Sequence, residues 1–262
     1  MITIGNYVKV NDLQEAYDLN QKKTNRILGG MMWMRLSDAR VQNVIDLSGL
    51  GLDKIEENEN EFRIGCMCSL RSLEINRELN DYFENAVKES VRHIVGVQFR
   101  NSATIGGSVF GRFGFSDILT CLLALDTYVE LYKGGLVALR DFVEMKKDND
   151  ILTHVIIRKD GRSVRYRSER ITHTDFPQIA CCVARKDDMW YVSVGARPMK
   201  ASLIAEEHRM TLENAADFAE EVSNQMAFGS NMRAGAEYRK RLAQVCIMRA
   251  VSDLLEEENN GN

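Results

Sequence analysis

Two glycine pairs, each following a strand-like run, are this chain's candidates for holding a ligand through the main chain. The first lies in Ile27-Leu28-Gly29-Gly30-Met31-Met32-Trp33. The second lies in Arg100-Asn101-Ser102-Ala103-Thr104-Ile105-Gly106-Gly107-Ser108, with Asp117 beyond it. Glycine has no Cβ, so main-chain N–H groups can approach a ligand closely and point at it. Successive N–H groups in such turns form concavities suited to phosphate. Two loops of this kind facing each other could hold the two phosphates of a dinucleotide. A Gly-Gly pair alone serves a tight turn equally well, and neither loop carries the Walker phosphate loop or the Gly-x-Gly-x-x-Gly fingerprint. The residues by themselves stop at a possible phosphate cradle.

Other chemistries find less support. Cys66, Cys68, Cys121, Cys181, Cys182 and Cys246 include one C-x-C and one adjacent pair. This is neither a paired C-x-x-C zinc arrangement nor a ferredoxin-like run. Most sit among apolar residues, as small buried thiols do. No metal site is expected. His93, His154, His173 and His208 form no nucleophile or ligand constellation and are read as structural or surface residues. No catalytic side chain is assigned.

The elements that would position the glycine loops mix helices with short strands. Asn11 followed by Gln14 resembles a capping box, with Leu13, Ala16 and Tyr17 on one helical face. A strand over Arg26 to Leu28 runs into the first loop, and Val44 to Leu47 is apolar again, giving a β-α-β lobe that ends near Asp53. The acidic stretch Glu56 to Glu61 reads as an exposed turn. Helices are predicted over Leu70 to Glu78 and Tyr82 to Ser90, with an irregular stretch over Arg100 to Phe110. Ser116-Asp117 reads as an N-cap for a helix over Ile118 to Leu125. Lys133-Gly134-Gly135, Asp160-Gly161 and Asp187-Asp188 each mark a turn between strands. The pattern beyond Pro198 is helical, and Leu242, Val245, Cys246, Ala250 and Leu254 recur three and four residues apart. The predicted class is α+β: a two-lobed domain over 1–163 (lobes about 1–53 and 54–163), then a C-terminal domain over 164–262 with an antiparallel sheet and helices.

Composition bounds the rest. Apolar residues are 45% of the chain, enough for a sizeable core, and the net charge is −4. Charges of both signs are interspersed, so no basic stripe for nucleic acid is visible. Lys22-Lys23, Lys146-Lys147 and Arg239-Lys240-Arg241 are read as solvated faces. No stretch reaches the roughly 18 apolar residues of a membrane span. The start lacks signal-peptide features, so a cytoplasmic location is expected.

The segment Arg100-Asn101-x-Ala103-Thr104-Ile105-Gly106-Gly107 resembles the signature of the flavin-binding subunits of molybdenum hydroxylases, among them xanthine dehydrogenase and carbon monoxide dehydrogenase. Gly29-Gly30 lies where that family has its first glycine loop, and Asp117 where it has an acidic residue. Leu122-Leu123-Ala124-Leu125 is similar to the helix that follows, and Tyr166-Arg167 with Arg170 to an aromatic-basic strand. Glu237-Tyr238-Arg239-Lys240, Leu242-Ala243 and Arg249-Ala250 resemble its final helix. The likeness thus spans nearly the whole chain.

The resemblance implies two α+β lobes clasping FAD and a C-terminal domain helping to cover the flavin ring. By position, Leu28, Gly29, Gly30, Met31, Met32 and Trp33 would form the loop against the pyrophosphate. Thr104, Gly106, Gly107 and Ser108 would line its other side, and Asp117 would hold a ribose hydroxyl. Ile94 falls where the family sets an apolar or aromatic residue against the isoalloxazine. Arg167 falls where a basic residue approaches the flavin; a solvated strand residue is its other reading. The implied role is an electron relay, from an iron–sulfur subunit beside a molybdenum-binding subunit, through FAD, to an acceptor such as NAD. Three departures stand out: Met31-Met32 replaces Thr and an acidic residue, Ser108 replaces Asn, and Phe113-Gly114-Phe115-Ser116 replaces a stretch with Ser-Pro. They leave open a flavin-free structural or regulatory subunit, with a self-contained flavin oxidase as a third possibility.

Overall fold

The computed structural model describes residues 1–260. In chain order the elements are β1 (Thr3–Lys9), α1 (Leu13–Asn20), β2 (Arg26–Leu28), β3 (Arg40–Asp46), β4 (Ile55–Glu57), β5 (Glu61–Gly65), α2 (Leu70–Ile75), α3 (Arg77–Tyr82), α4 (Ala86–Val91), α5 (Val97–Ser102), α6 (Ile105–Gly111) and α7 (Asp117–Ala124). They continue as β6 (Thr127–Leu131), β7 (Gly135–Ala138), α8 (Leu139–Glu144), β8 (Leu152–Arg158), β9 (Ser163–Arg170), β10 (Pro177–Lys186), β11 (Met189–Gly195), β12 (Ser202–Glu207), α9 (Ala215–Asn224) and α10 (Ala236–Asn260). Two compact units result: Met1–Ser72 with Val97–Gly111 and Thr127–Ile157, and Leu73–Gly96 with Arg112–Asp126 and Arg158–Asn262. The mixed α+β class read from the sequence is the class observed.

The first unit carries two sheets. One has the order β1-β3-β2, with both outer strands parallel to β3. Parallel neighbours need a crossover, and α1 follows β1 to supply it. The cap of α1 is Asp12, one residue beyond the predicted Asn11: its Oδ1 accepts the Glu15 N–H at 2.8 Å, while Glu15 accepts the Asn11 N–H at 2.9 Å. The other sheet has the order β4-β5-β8-β6-β7. Its β6–β7 hairpin turns at Lys133-Gly134 as the sequence predicts, with the Asp150 carboxylate accepting both turn N–H groups.

The second unit is built on the antiparallel sheet β12-β11-β10-β9. Strand periodicity sorts its two faces. Ile179, Cys181, Val183, Trp190, Val192 and Val194 share a core with Phe218 and Val222 of α9 and Ile247 and Val251 of α10. The alternate residues face α7: the Ser193 hydroxyl donates to the Thr120 carbonyl, and a Cβ on Gly195 would lie 2.0 Å from Thr120 Oγ1. Every residue of α7 is buried, as an apolar-all-round helix must be.

Several expectations change. Asp160-Gly161 joins no hairpin, because β8 belongs to one sheet and β9 to the other. The stretch 100–110 is helical except at Ala103 and Thr104 rather than irregular; α5 ends at Ser102, α6 begins at Ile105, and the Gly106-Gly107 pair falls in its first turn. The segment after Pro198 first forms β12, which completes the sheet edge beside β11. The helix pair predicted over residues 70–90 becomes three helices: Asn76 ends α2 and caps α3, and Glu84 and Asn85, at φ 51 and 64, separate α3 from α4. Arg239 is not solvated: it is 1% exposed and donates to the Gln178 and Ala196 carbonyls and, at 2.6 Å, to Asn231. All six cysteines are buried free thiols. Among the described residues no helix is long and apolar enough to cross a membrane.

Candidate functional site

In the first unit the glycine loops meet. Leu28 closes β2 opposite Asp46 of β3, so the chain leaves the carboxyl end of a parallel strand as it enters Gly29, the usual side for ligands in parallel sheets. A Cβ on Gly30 would lie 1.9 Å from the Ser102 carbonyl oxygen and 2.8 Å from Ala103 Cα. Only glycine permits that approach. Met31 follows in the left-handed region, at φ 56, and its carbonyl accepts the Arg35 N–H at 3.0 Å. Trp33 packs edge-on against Phe99 with ring centroids 6.3 Å apart.

Each glycine pair divides its labour. Gly106 is a packing glycine like Gly30: a Cβ there would lie 2.6 Å from the Cys66 carbonyl oxygen, which also accepts the Gly106 N–H at 2.9 Å. Gly29 and Gly107 instead face each other around one hydroxyl. A Cβ on Gly29 would lie 3.0 Å from Thr104 Oγ1 and 3.9 Å from Gly107 Cα. A Cβ on Gly107 would meet only Thr104 Oγ1, at 3.2 Å. Thr104 Oγ1 accepts the Gly107 N–H at 3.2 Å, which leaves its own proton to offer outward. Ser108 turns inward, its N–H and hydroxyl both donating to the Thr104 carbonyl, at 3.1 and 2.9 Å. Gly29, Gly107 and Thr104 thus make a cradle that any side chain on either glycine would begin to fill.

The remaining candidates lie in the second unit. Asp117, 4% exposed, opens α7 beneath the Ser116 cap, whose hydroxyl accepts the Leu119 N–H at 3.3 Å. Its Oδ1 accepts the Tyr166 hydroxyl at 2.5 Å and also the Arg170 guanidinium. Burial pushes the Asp117 carboxyl up to about 6, against the opposing pull of Arg170 and Tyr166. Burial likewise holds the Tyr166 phenol well above its ordinary range, so it remains a donor. Arg167 leaves the opposite face of β9 and pairs with Asp253 of α10. Ile94 is half-buried in the turn after α4, its N–H donating to Val91 at 2.9 Å, beside Val95 at φ 50.

A cavity of about 360 Å³ in the same unit was not foreseen from the sequence; Phe115, Phe176, Met199, Lys200 and Arg233 line it. Phe113 stacks on Phe115 at 5.2 Å, Phe115 meets Phe176 edge-on at 4.8 Å, and the Arg233 guanidinium lies 4.7 Å from the Phe176 ring centre. A planar ring with a negative edge or substituent suits such walls. Phe115 and Phe176 lie far apart in the chain, and no local pattern joins them. Arg170 was legible in part: it stands four residues after Tyr166, hence on the same strand face.

Comparison with known proteins bears on the fold and the family. A structure of quinoline 2-oxidoreductase from Pseudomonas putida 86 superposes with a TM-score of 0.85 at 14% identity, over 97% of this chain and 98% of the other. Carbon monoxide dehydrogenase from Hydrogenophaga pseudoflava, in a form lacking the Mo-pyranopterin moiety of the molybdenum cofactor, gives 0.82 at 18% identity, over 94% and 95%. At these identities the likeness speaks for the fold. The uncharacterized protein YgfM of Escherichia coli (strain K12) is 25% identical over 210 residues, 80% of this chain and 79% of its own length. The model of the FAD binding domain in molybdopterin dehydrogenase matches residues 3–159, more than half of the chain. The chain therefore belongs to the FAD-binding domain family of the molybdopterin dehydrogenases, and its cofactor is FAD.

Proposed function

We propose that this chain is the flavin-carrying electron relay of a xanthine dehydrogenase-like molybdenum hydroxylase. It takes electrons from an iron–sulfur subunit that serves a molybdenum-binding subunit, and delivers them to an acceptor such as NAD. FAD, when bound, supplies the exchange between one-electron carriers and two-electron acceptors. The chain's own residues bind and orient it. The observation that carries the reading is the cradle in which Gly29 and Gly107 face each other around Thr104 Oγ1.

In this reading Gly29, Gly107 and Thr104 receive the diphosphate, while Gly30 and Gly106 bring the two loops close enough to share it. Leu28, Met31, Met32, Trp33 and Ser108 shape the loops. In the second unit Asp117 offers a carboxylate oxygen to a ribose hydroxyl, and Ile94 gives apolar surface to the flavin ring. Arg167 supplies positive charge moderated by Asp253. The proposed division along the chain is 1–163 for FAD binding and 164–262 for the C-terminal part. The cytoplasm is the proposed location.

Purification of the full chain tests this directly. The expected product is yellow, or turns yellow on addition of FAD, and its visible absorption bleaches with NADH if a nicotinamide is the acceptor. Co-purification from the native source with iron- and molybdenum-containing chains is the expected partnership. Colourless protein that takes up no added FAD overturns the reading in favour of a structural subunit. Turnover of a heterocyclic substrate by the isolated chain would replace the relay with a self-contained oxidase.

A further inference from the structure

We propose that Arg170 is a positioning residue, which sets the Asp117 carboxylate for a ribose hydroxyl of FAD and ties it to the wall of the aromatic cavity. This rests on the role given to Asp117 above.

The geometry carries the proposal in three steps. First, two donors converge on one oxygen: the Tyr166 hydroxyl and an Arg170 terminal nitrogen both reach Asp117 Oδ1. Two donors that meet one oxygen from two directions hold the orientation of the carboxylate. Second, the other terminal nitrogen of Arg170 donates to the Asp175 carbonyl at 2.6 Å. The Asp175 carboxylate accepts the Phe176 N–H at 2.7 Å, and Phe176 is a wall of the cavity. One guanidinium therefore joins the first residue of α7 to the turn that places Phe176. Third, the pair is deeply buried, with side-chain exposures of 7% for Arg170 and 5% for Asp117.

Helix α7 does not need this pair as an anchor, since Ser116 caps it and all its residues are buried. Apolar groups of similar volume commonly hold such a position as well as a buried ion pair does. What an apolar pair cannot do is present an oriented oxygen. A lysine would keep the charge but lose the planar fork that serves the carboxylate and a carbonyl together. Arg167 cannot substitute, because strand alternation sends it to the opposite face, where it meets Asp253.

The test is FAD titration of the full chain by flavin fluorescence, with melting temperature read alongside. Arg170→Met is expected to weaken FAD binding about tenfold or more, the scale of a lost charge-assisted contact, and Arg170→Lys to recover part of that loss. The decisive readout is a cycle with Asp117→Asn: if Arg170 acts through Asp117, adding Arg170→Lys to the Asp117→Asn variant weakens binding no further. Losses that multiply in the double variant, or Arg170→Met protein that binds like the wild type, overturn the proposal alone. Should Arg170→Met fail to fold, Tyr166→Phe in the same cycle decides, since it removes the second donor to the same oxygen. Wild-type protein that takes up no FAD overturns the underlying reading, and the proposal with it.

Discussion

Replacing the four loop glycines one at a time by alanine should separate those that hold the loops together from those that face the ligand. At Gly30 the new methyl would lie 1.9 Å from the Ser102 carbonyl oxygen, 2.5 Å from its carbon and 2.8 Å from Ala103 Cα. All three are main-chain atoms, so relief requires the second loop to move by more than about an ångström. Overpacking of this kind costs about 1–3 kcal/mol. For a protein of this size that lowers the melting temperature by roughly 2–10 °C, and FAD affinity should fall as the loops part. At Gly107 the methyl would meet only the Thr104 hydroxyl, at 3.2 Å, and alanine is favoured over glycine in a helix by up to ~1 kcal/mol. Gly107→Ala should therefore melt at or above the wild-type temperature while losing about one to two orders of magnitude in FAD affinity, as a ligand displaced from close main-chain approach forfeits ~1–3 kcal/mol. The assay is thermal denaturation without ligand, paired with fluorescence titration of FAD. A Gly107→Ala protein that binds FAD normally would refute the cradle, and a Gly30→Ala protein of unchanged stability would refute the contact between the loops.

Other outcomes follow from single residues. Met31 sits at φ 56, a region that costs a non-glycine residue about 1 kcal/mol or more; Met31→Gly or Met31→Asn should raise the urea midpoint, and a lower midpoint would show that the Met31 side chain contributes more than its backbone costs. Burial, then His173, Arg92 and Arg170, holds the His93 imidazole down at about 4. Its contribution to stability is complete above the unfolded value near 6.5 and is lost as pH falls toward 4. Between about pH 7.5 and 5 the wild type should lose more stability than His93→Gln, and parallel curves would refute this. Trp190 is 1% exposed, in the core beneath α9, so Trp190→Ala should cost about 3–5 kcal/mol, measured by equilibrium unfolding.

The sequence determined what is local or strictly ordered along the chain. Ser116 capping α7, the turns at Lys133-Gly134 and Asp187-Asp188 and the apolar stripe of α10, from which the structure leaves Val245 exposed, depend on residues within a few positions of one another. The order of residues from Arg100 to Gly107 marked the second glycine pair, but not the two helices that carry it. Tertiary structure alone decided the rest, because the deciding distances join positions far apart. Gly30 is a packing glycine only because Ser102 lies against it, and Gly107 is open only because nothing but Thr104 does. Asp117 is shared by Tyr166 and Arg170, 49 and 53 residues away. Asp160-Gly161 carries a hairpin's residues yet links two different sheets, since a turn fixes a reversal of direction but not the partner a strand then finds. Arg239 sits in a basic triplet that reads as solvated, and only the fold shows its guanidinium buried among main-chain carbonyls. Chemistry written in residue types survives in sequence, whereas the side of a residue that meets ligand rather than protein is set by whatever the folded chain brings against it.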